Sequence, residues 1–361
     1  MTTTIKLKIT TLSPVTIGSG AEWSPYADYV IENGQFYLLD RNKITKKIAE
    51  NDQWLEQYVN GIASGMDNNR SEFDLKTFLI GTLRESIENM SVFHCPVLSY
   101  KADRKLPVKA LLRTPLYCPY IPGSTLKGAF KTALLWYKIN DEIKSVLNSC
   151  ALPNRHERDK EINKWLENQE QRLEKPKIIQ RITDSSPIAK ENSIVVDCLR
   201  NNMPLRFDCI NENATSQVEL TLDNYTWENL TNNINDFSYS ILARELNLLE
   251  SNDKSEEYKE NLDEILNLCD HPSANVAYLR IGFGKGYFAN SIGDALFAYI
   301  EDLKNGQTRQ RLEDIFQHYL QSIFKKGSQI IQDFDMYNFP RTHLQTMRAQ
   351  KPLGWIKIEK V

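Results

Sequence analysis

Several chemistries are excluded by what this chain does not contain. Its six cysteines (Cys95, Cys118, Cys150, Cys198, Cys209, Cys269) are scattered, with no C-x-x-C pair. In a chain of 361 residues this points away from a disulfide framework and a cysteine-held zinc, and towards reduced thiols in the cytoplasm. The five histidines (His94, His156, His271, His318, His343) form neither H-x-x-x-H nor H-E-x-x-H, so no helical metal motif is expected. No apolar run approaches the length that spans a bilayer. The first residues, Met1-Thr-Thr-Thr-Ile-Lys-Leu-Lys-Ile9, alternate like a strand and lack the apolar centre of a signal peptide. Neither a metal, a cofactor nor a membrane is therefore expected.

The most informative absence is local. Between Arg104 and Asn140 there is no Asp or Glu, yet seven basic residues fall there: Arg104, Lys105, Lys109, Arg113, Lys127, Lys131 and Lys138. The whole chain carries a net charge of −3. A basic block inside a slightly acidic chain is the signature of a polyanion-binding surface.

Within that block lies Tyr120-Ile-Pro-Gly-Ser-Thr-Leu-Lys-Gly-Ala-Phe-Lys-Thr-Ala-Leu-Leu-Trp136. The Pro-Gly turn, with Ser124 as N-cap, starts a helix over about 125–139. Leu126, Phe130, Ala133, Leu134 and Tyr137 recur at the spacing of one helix face. Lys127 sits in the first turn, where the helix dipole disfavours a cation. An external phosphate on the free N–H groups and the ammonium together would reconcile the two. A surface lysine of slight energetic cost is the plainer reading.

Two further glycine stretches frame the chain. Leu12-Ser-Pro-Val-Thr-Ile-Gly-Ser-Gly20 places Gly18, Ser19 and Gly20 after an alternating strand over 4–10. Tyr278-Leu-Arg-Ile-Gly-Phe-Gly-Lys-Gly286 is a strand running into glycine at every second position. It is not the dinucleotide fingerprint, because Gly286 comes one position early and no βαβ unit with an acidic ribose partner accompanies it. Gly123 and Gly128 have phosphate-loop spacing, but Ala-Phe follow where Lys-Ser/Thr is required, which argues against nucleotide hydrolysis. Both loops offer backbone N–H groups beside a lysine or arginine, which suits phosphate contacts without base reading. Phe283 and Tyr287 have two readings: core packing, or stacking on bases.

The remaining elements follow from patterning. Asn33-Gly34 between apolar runs predicts a hairpin over 28–40, and Asp40 or Asn42 caps a helix over about 43–60. A helical period runs from Phe73 to about Asn89, and 91–118 reads as an extended basic loop with edge strands. Residues 141–175 carry eight acids and seven bases, a charged helical insertion. Strands are expected over 177–186 and 193–199, and a hairpin pair over 203–210 and 217–222. Glu245 to Asp270 carries nine acids against two lysines, which should face water or protein. Helices follow, from a Ser291 cap to about Lys304 and over 308–325. Pro352-Leu-Gly-Trp-Ile-Lys-Ile358 is the last strand. The length suffices for two cores, divided at 175/176.

With those motifs in view the chain resembles the RAMP superfamily of CRISPR effector proteins, in its details the Csm subunits of type III-A complexes. The resemblance rests on the first glycine stretch, the central Ile121-Pro-Gly-Ser-Thr-Leu-Lys-Gly128 and the late Arg280-Ile-Gly-Phe-Gly-Lys-Gly286, in that order along nearly the whole chain. Asp28-Tyr-Val-Ile, Tyr37-Leu-Leu-Asp40 and the closing Pro-Leu-Gly-Trp add to it. It implies an α+β fold of tandem ferredoxin-like (RRM-type) modules with helical insertions, residues 1–175 and 176–361. It implies a place at one end of a filament of related Csm/RAMP backbone subunits, near the 3′ end of the guide RNA (crRNA). A part in guide maturation follows, the trimming itself being done by other nucleases of the host.

The family motifs map onto Gly18, Ser19 and Gly20, onto Ser124, Thr125 and Lys127, and onto Gly282, Gly284, Lys285 and Gly286. Lys131, Arg113 and Arg280 add basic charge to the expected RNA surface. The chain has no clear counterpart of a histidine-based processing site, so the expected subunit is non-catalytic. Two alternatives stay open: a metal-independent endoribonuclease using His94 or Asp103, and a protein-interaction cap whose acidic 245–270 segment binds a neighbour or a nuclease.

Overall fold

The computed structural model describes residues 1–68, 73–98, 105–139, 178–200, 203–250, 256–323, 325–326, 329–330, 345–346 and 350–361, with scattered positions between 143 and 164. Asp103 and most of the charged insertion 141–175 lie outside the described residues. The fold is α+β, built on two sheets. The strands of the first are β1 (Thr2–Thr11), β7 (Ile179–Ile182), β10 (Thr215–Asp223), β11 (Val276–Arg280) and β15 (Trp355–Lys360). Their order is β11-β15-β1-β10-β7, every pair antiparallel.

The alternation of β1 determines its register. Ile5, Leu7 and Ile9 are buried while Lys6 is exposed, because successive side chains point to opposite faces. A one-residue slip would bury the lysines. The apolar face packs on α4 (Gly123–Lys138) and α5 (Trp227–Glu250): Leu126, Phe130, Ala133 and Leu134 of α4 join Leu230, Ile234 and Phe237 of α5 in one cluster with β1 and β10. The other face carries Lys8 and Lys357, both paired with Glu359 (3.2 and 2.8 Å). Over β11 that other face is covered. Val276 and Tyr278 pack with Tyr258, Leu262 and Cys269 of α6 (Glu256–Asp270).

The second sheet runs β2 (Gly18–Trp23), β6 (Val108–Leu111), β9 (Met203–Ile210), β8 (Ser193–Arg200), β5 (Ser91–Leu98), β4 (Gln35–Leu39), β3 (Tyr29–Glu32). The pairs β5–β8 and β6–β9 are parallel. β14 (Gln345–Thr346) also pairs with β8, and β12 (Lys325–Lys326) with β13 (Gln329–Ile330) as a separate ribbon.

The Asn33-Gly34 hairpin is present as expected, both residues left-handed (φ 50° and 75°). Asp40 caps α1 (Arg41–Ile48), accepting from the amides of Asn42 and Lys43. The expected helix over 43–60 breaks after residue 48 and resumes as α2 (Asp52–Asn68). The helical period after Phe73 yields only α3 (Leu75–Thr77) and a π-turn over Phe78–Thr82. The late helices are α7 (Gly293–Glu301) and α8 (Gly306–Ile323).

One expectation is corrected by topology. Residues 203–210 and 217–222 are strands, but β9 and β10 belong to different sheets, so they form no hairpin. β1, at the start of the chain, pairs with β10 and β15, which both follow residue 175.

Candidate nucleic-acid interface

The first and late glycine stretches, more than 260 residues apart in sequence, meet at one junction. In the first stretch the amide of Leu12 donates to the Trp355 carbonyl (2.8 Å), and Val15 and Ile210 exchange two bonds (2.9 and 2.8 Å). The Pro14 carbonyl accepts from Gly354 (2.9 Å), that of Thr16 from Phe283 (2.9 Å) and that of Ile17 from Leu112 (2.9 Å). The Ser19 hydroxyl donates to the Ala110 carbonyl (3.1 Å). One nine-residue segment thus ties β9, β6, the late loop and the closing strand together.

Glycine is required there for two different reasons. Gly282 (φ +74°) lies so close to the first stretch that a Cβ would sit 2.2 Å from the Thr16 carbonyl oxygen. Gly354 (φ +93°) approaches the Ile281 carbonyl oxygen as closely. These two serve packing. Gly20 and Gly286 are also left-handed, but a Cβ on either would meet nothing within 4 Å. They leave backbone open to a ligand, and Gly284 (φ 91°) continues the left-handed run.

Lys285 stands in the middle of that run, half-buried. Burial, and then the nearby Arg280 charge, hold its ammonium below the ordinary lysine value. Among the described residues no carboxylate lies within ion-pair distance of it. A half-buried cation beside another cation is under-compensated, and an anion from outside would offset both effects.

Arg280 and Arg113, both expected to add charge to the RNA surface, have buried, ion-paired side chains. Arg280 donates from Nε to the Leu353 carbonyl (2.8 Å) and pairs through Nη1 with Glu245 (2.9 Å), which also accepts from the Tyr258 hydroxyl (2.9 Å). Burial, then the Glu245 charge, pushes that phenol well above its usual range. Arg113 grips Asp208 with two nitrogens (2.9 and 2.6 Å) and reaches Ser193 and the Tyr117 carbonyl. Both guanidiniums position backbone. Arg280 clamps the end of β11 to the bend at Leu353, just before β15, and so holds the late loop and its Gly354 seat.

The central turn is built differently from its expectation. The N-cap of α4 is Pro122, with no side-chain cap, so Ser124 does not cap the helix and is exposed. Instead the Asp184 carboxylate accepts from the Gly123 amide (2.8 Å), and the Ser185 hydroxyl accepts from that of Ile121 (2.9 Å). A Cβ on Gly123 would fall 2.4 Å from the Ile182 carbonyl oxygen. An internal carboxylate thus already sits on the helix N-terminus. Thr125, Lys127 and Lys131 are half-buried along the helix. α4 meets the chain just past the late loop, where Trp136 donates to Asp294 (3.0 Å). Asp184 and Thr16, which shape these two places, escaped the sequence reading because each acts through backbone contacts to distant residues.

His94, on β5, is exposed, its ring 5.5 Å from that of Tyr37 on β4. No helix among the described residues is long and apolar enough to cross a membrane.

This architecture and its glycine junction define a RAMP protein: residues 8–289 match the RAMP superfamily, and the chain belongs to it. Within the superfamily it is similar to the protein called CRISPR system Cms protein Csm5. The relative from Methanocaldococcus jannaschii is 24% identical over 99% of this chain and 89% of its own length. That from Streptococcus thermophilus is 29% identical over 37% of this chain and 38% of its own. Among solved structures, a chain of a type III-A Csm–crRNA–target RNA ternary complex superposes with a TM-score of 0.66 at 17% identity, covering 99% of this chain and 100% of that one. The crystal structure of T. onnurineus Csm5 gives 0.62 at 17% identity, covering 97% and 99%.

Proposed function

We propose that this chain is a non-catalytic crRNA-binding subunit of a type III-A Csm interference complex. It caps the backbone filament near the crRNA 3′ end and is needed for crRNA maturation in antiviral defence. Its partners are the crRNA and the neighbouring Csm/RAMP subunits, with host nucleases trimming the guide. The observation that carries this reading is Lys285: a half-buried ammonium with no acid partner among the described residues, on a loop of left-handed glycines locked to the first glycine stretch. The similarity to Csm5 along nearly the whole chain supports the assembly. The order β15-β1-β10-β7, with β1 and β7 flanking antiparallel β10, supports a ferredoxin-like module.

In this reading RNA phosphates lie along Gly18–Gly20 and Gly282–Gly286, with Lys285 as the charge. Ser124, Thr125, Lys127 and Lys131 of α4 extend the track. Filter binding of single-stranded repeat RNA tests it. Replacing Lys127 and Lys285 together by Gln should weaken binding across sequences. It should also reduce the log–log salt slope by roughly 0.7 per lost phosphate contact. An unchanged slope overturns the placement. Incubating the purified chain with labelled repeat RNA tests the non-catalytic half: cleavage that disappears in His94→Ala would replace it with an endoribonuclease.

A further inference from the structure

Phe283 lies between two left-handed glycines, Gly282 and Gly284 (φ 74° and 91°), two residues before Lys285. Its amide is held by the Thr16 carbonyl (2.9 Å). Its ring is braced on Phe207 of β9, the centroids 5.1 Å apart and the planes at 37°. Phe283 nonetheless remains 41% exposed. Tyr287, four residues on, is half-buried instead, its ring 5.3 Å from that of Phe288 and hard against Gly293. The two aromatics of the late loop therefore divide: Tyr287 packs inward and Phe283 shows part of its ring to solvent.

A lone exposed aromatic is ordinary. This one is fixed at its amide and supported by a second ring, so it would lose little freedom on meeting a ligand. Its neighbour in the loop is the Lys285 ammonium, which has no acid partner among the described residues. Aromatic rings beside cations on open backbone are the elements by which single strands are held, bases on rings and phosphates on charges.

We propose that the open part of the Phe283 ring is a stacking platform for one unpaired nucleobase of the strand whose phosphate lies at Lys285. The inference rests on the RNA reading above and adds the form of the ligand: single-stranded, with one base splayed onto the exposed part of the ring. Stacking uses the face that every base possesses, so the platform is indifferent to sequence. It would reject duplex RNA, whose bases are occupied with one another.

The test uses the full chain and a fluorescent oligouridylate of about ten nucleotides, within the usual single-strand site sizes. Phe283→Leu keeps the contact with Phe207 and removes the ring face. It should bind about tenfold more weakly, within the range of a lost base stack, with an unchanged salt slope. Phe283→Tyr should bind like the unaltered chain. Lys285→Gln should weaken binding and flatten the slope, so the two contributions separate. Should Phe283→Leu fail to fold, Phe283→Met is the second ring-less variant, read the same way.

If Phe283→Leu and Phe283→Met bind as the unaltered chain does while Lys285→Gln still flattens the slope, the platform is refuted and the phosphate site stands. The exposed ring then serves a protein contact. A Phe283→Leu defect equally large on duplex RNA also refutes the platform. If neither Lys285→Gln nor the ring-less variants change binding, or the unaltered chain binds no oligouridylate, the RNA reading and the platform fall together.

Discussion

Two places in this chain carry the same local signature, glycine-opened backbone beside a lysine with no acid nearby in sequence. One is the turn from Gly123 to Gly128 with Lys127, the other the loop from Gly282 to Gly286 with Lys285. In three dimensions they part. At the central turn Asp184, 61 residues further on, reaches the Gly123 amide, and the turn is pressed against the carbonyls of Ile182 and Thr183. At the late loop no carboxylate among the described residues comes within ion-pair distance of Lys285, and Gly286 faces open space. A stretch free of acids in sequence need not be free of them in space, because charge acts over ångströms and not over residue numbers.

The largest effect that would sharpen this contrast lies inside the late loop. Arg280→Ala leaves Glu245 buried without its cation and should lower the unfolding free energy in urea by about 3–5 kcal/mol. Lys285→Ala, which breaks no pair among the described residues, should stay within about 1 kcal/mol of the unaltered chain. An Arg280→Ala protein of normal stability that lost only RNA affinity would reverse the roles given to these two cations.

A smaller effect distinguishes the loops by pH. Burial and the Arg280 charge make Lys285 release its proton below the ordinary lysine range, whereas a docked phosphate favours the charged form. RNA affinity should therefore fall as pH rises through that depressed value. The unfolded chain keeps its proton to higher pH, so the Lys285 contribution to stability should rise over the same interval. Affinity and stability measured for the unaltered chain relative to Lys285→Gln should thus move in opposite directions with pH. Parallel movement would contradict an unpaired lysine.

The smallest effect concerns the central turn. Asp184→Asn removes the carboxylate charge from the start of α4 and should reduce stability by about 0.5–1 kcal/mol. It should also strengthen RNA binding slightly, and more so at low salt, because the helix N-terminus would no longer face an internal anion. If the variant binds RNA no better at any salt, the central turn contributes no phosphate site.

Much of the local structure was legible. Alternation in Ile5, Leu7 and Ile9 marked β1 and its buried face. Asn33-Gly34 marked a hairpin, Asp40 a helix cap, and the run from Tyr278 the strand that leads into the late loop. Each is a short-range rule in which neighbours along the chain compete for one conformation. Ser124 misled, since a good cap residue at a helix start went unused once Pro122 and Asp184 had settled that terminus. Arg113 and Arg280 were legible only in part. Their charge was plain, but their buried partners Asp208 and Glu245 lie 95 and 35 residues away.

The sequence by itself determined most of the elements, the family and the three glycine motifs, because alternation, helical spacing and left-handed glycine turns are local. Only the tertiary structure decided that the first and last motifs share one junction, that Lys285 alone of the late loop's cations stands apart from an acid among the described residues, and that Phe283 remains open. Those outcomes depend on strand pairing across more than two hundred residues, and on which carboxylates that pairing carries to each cation.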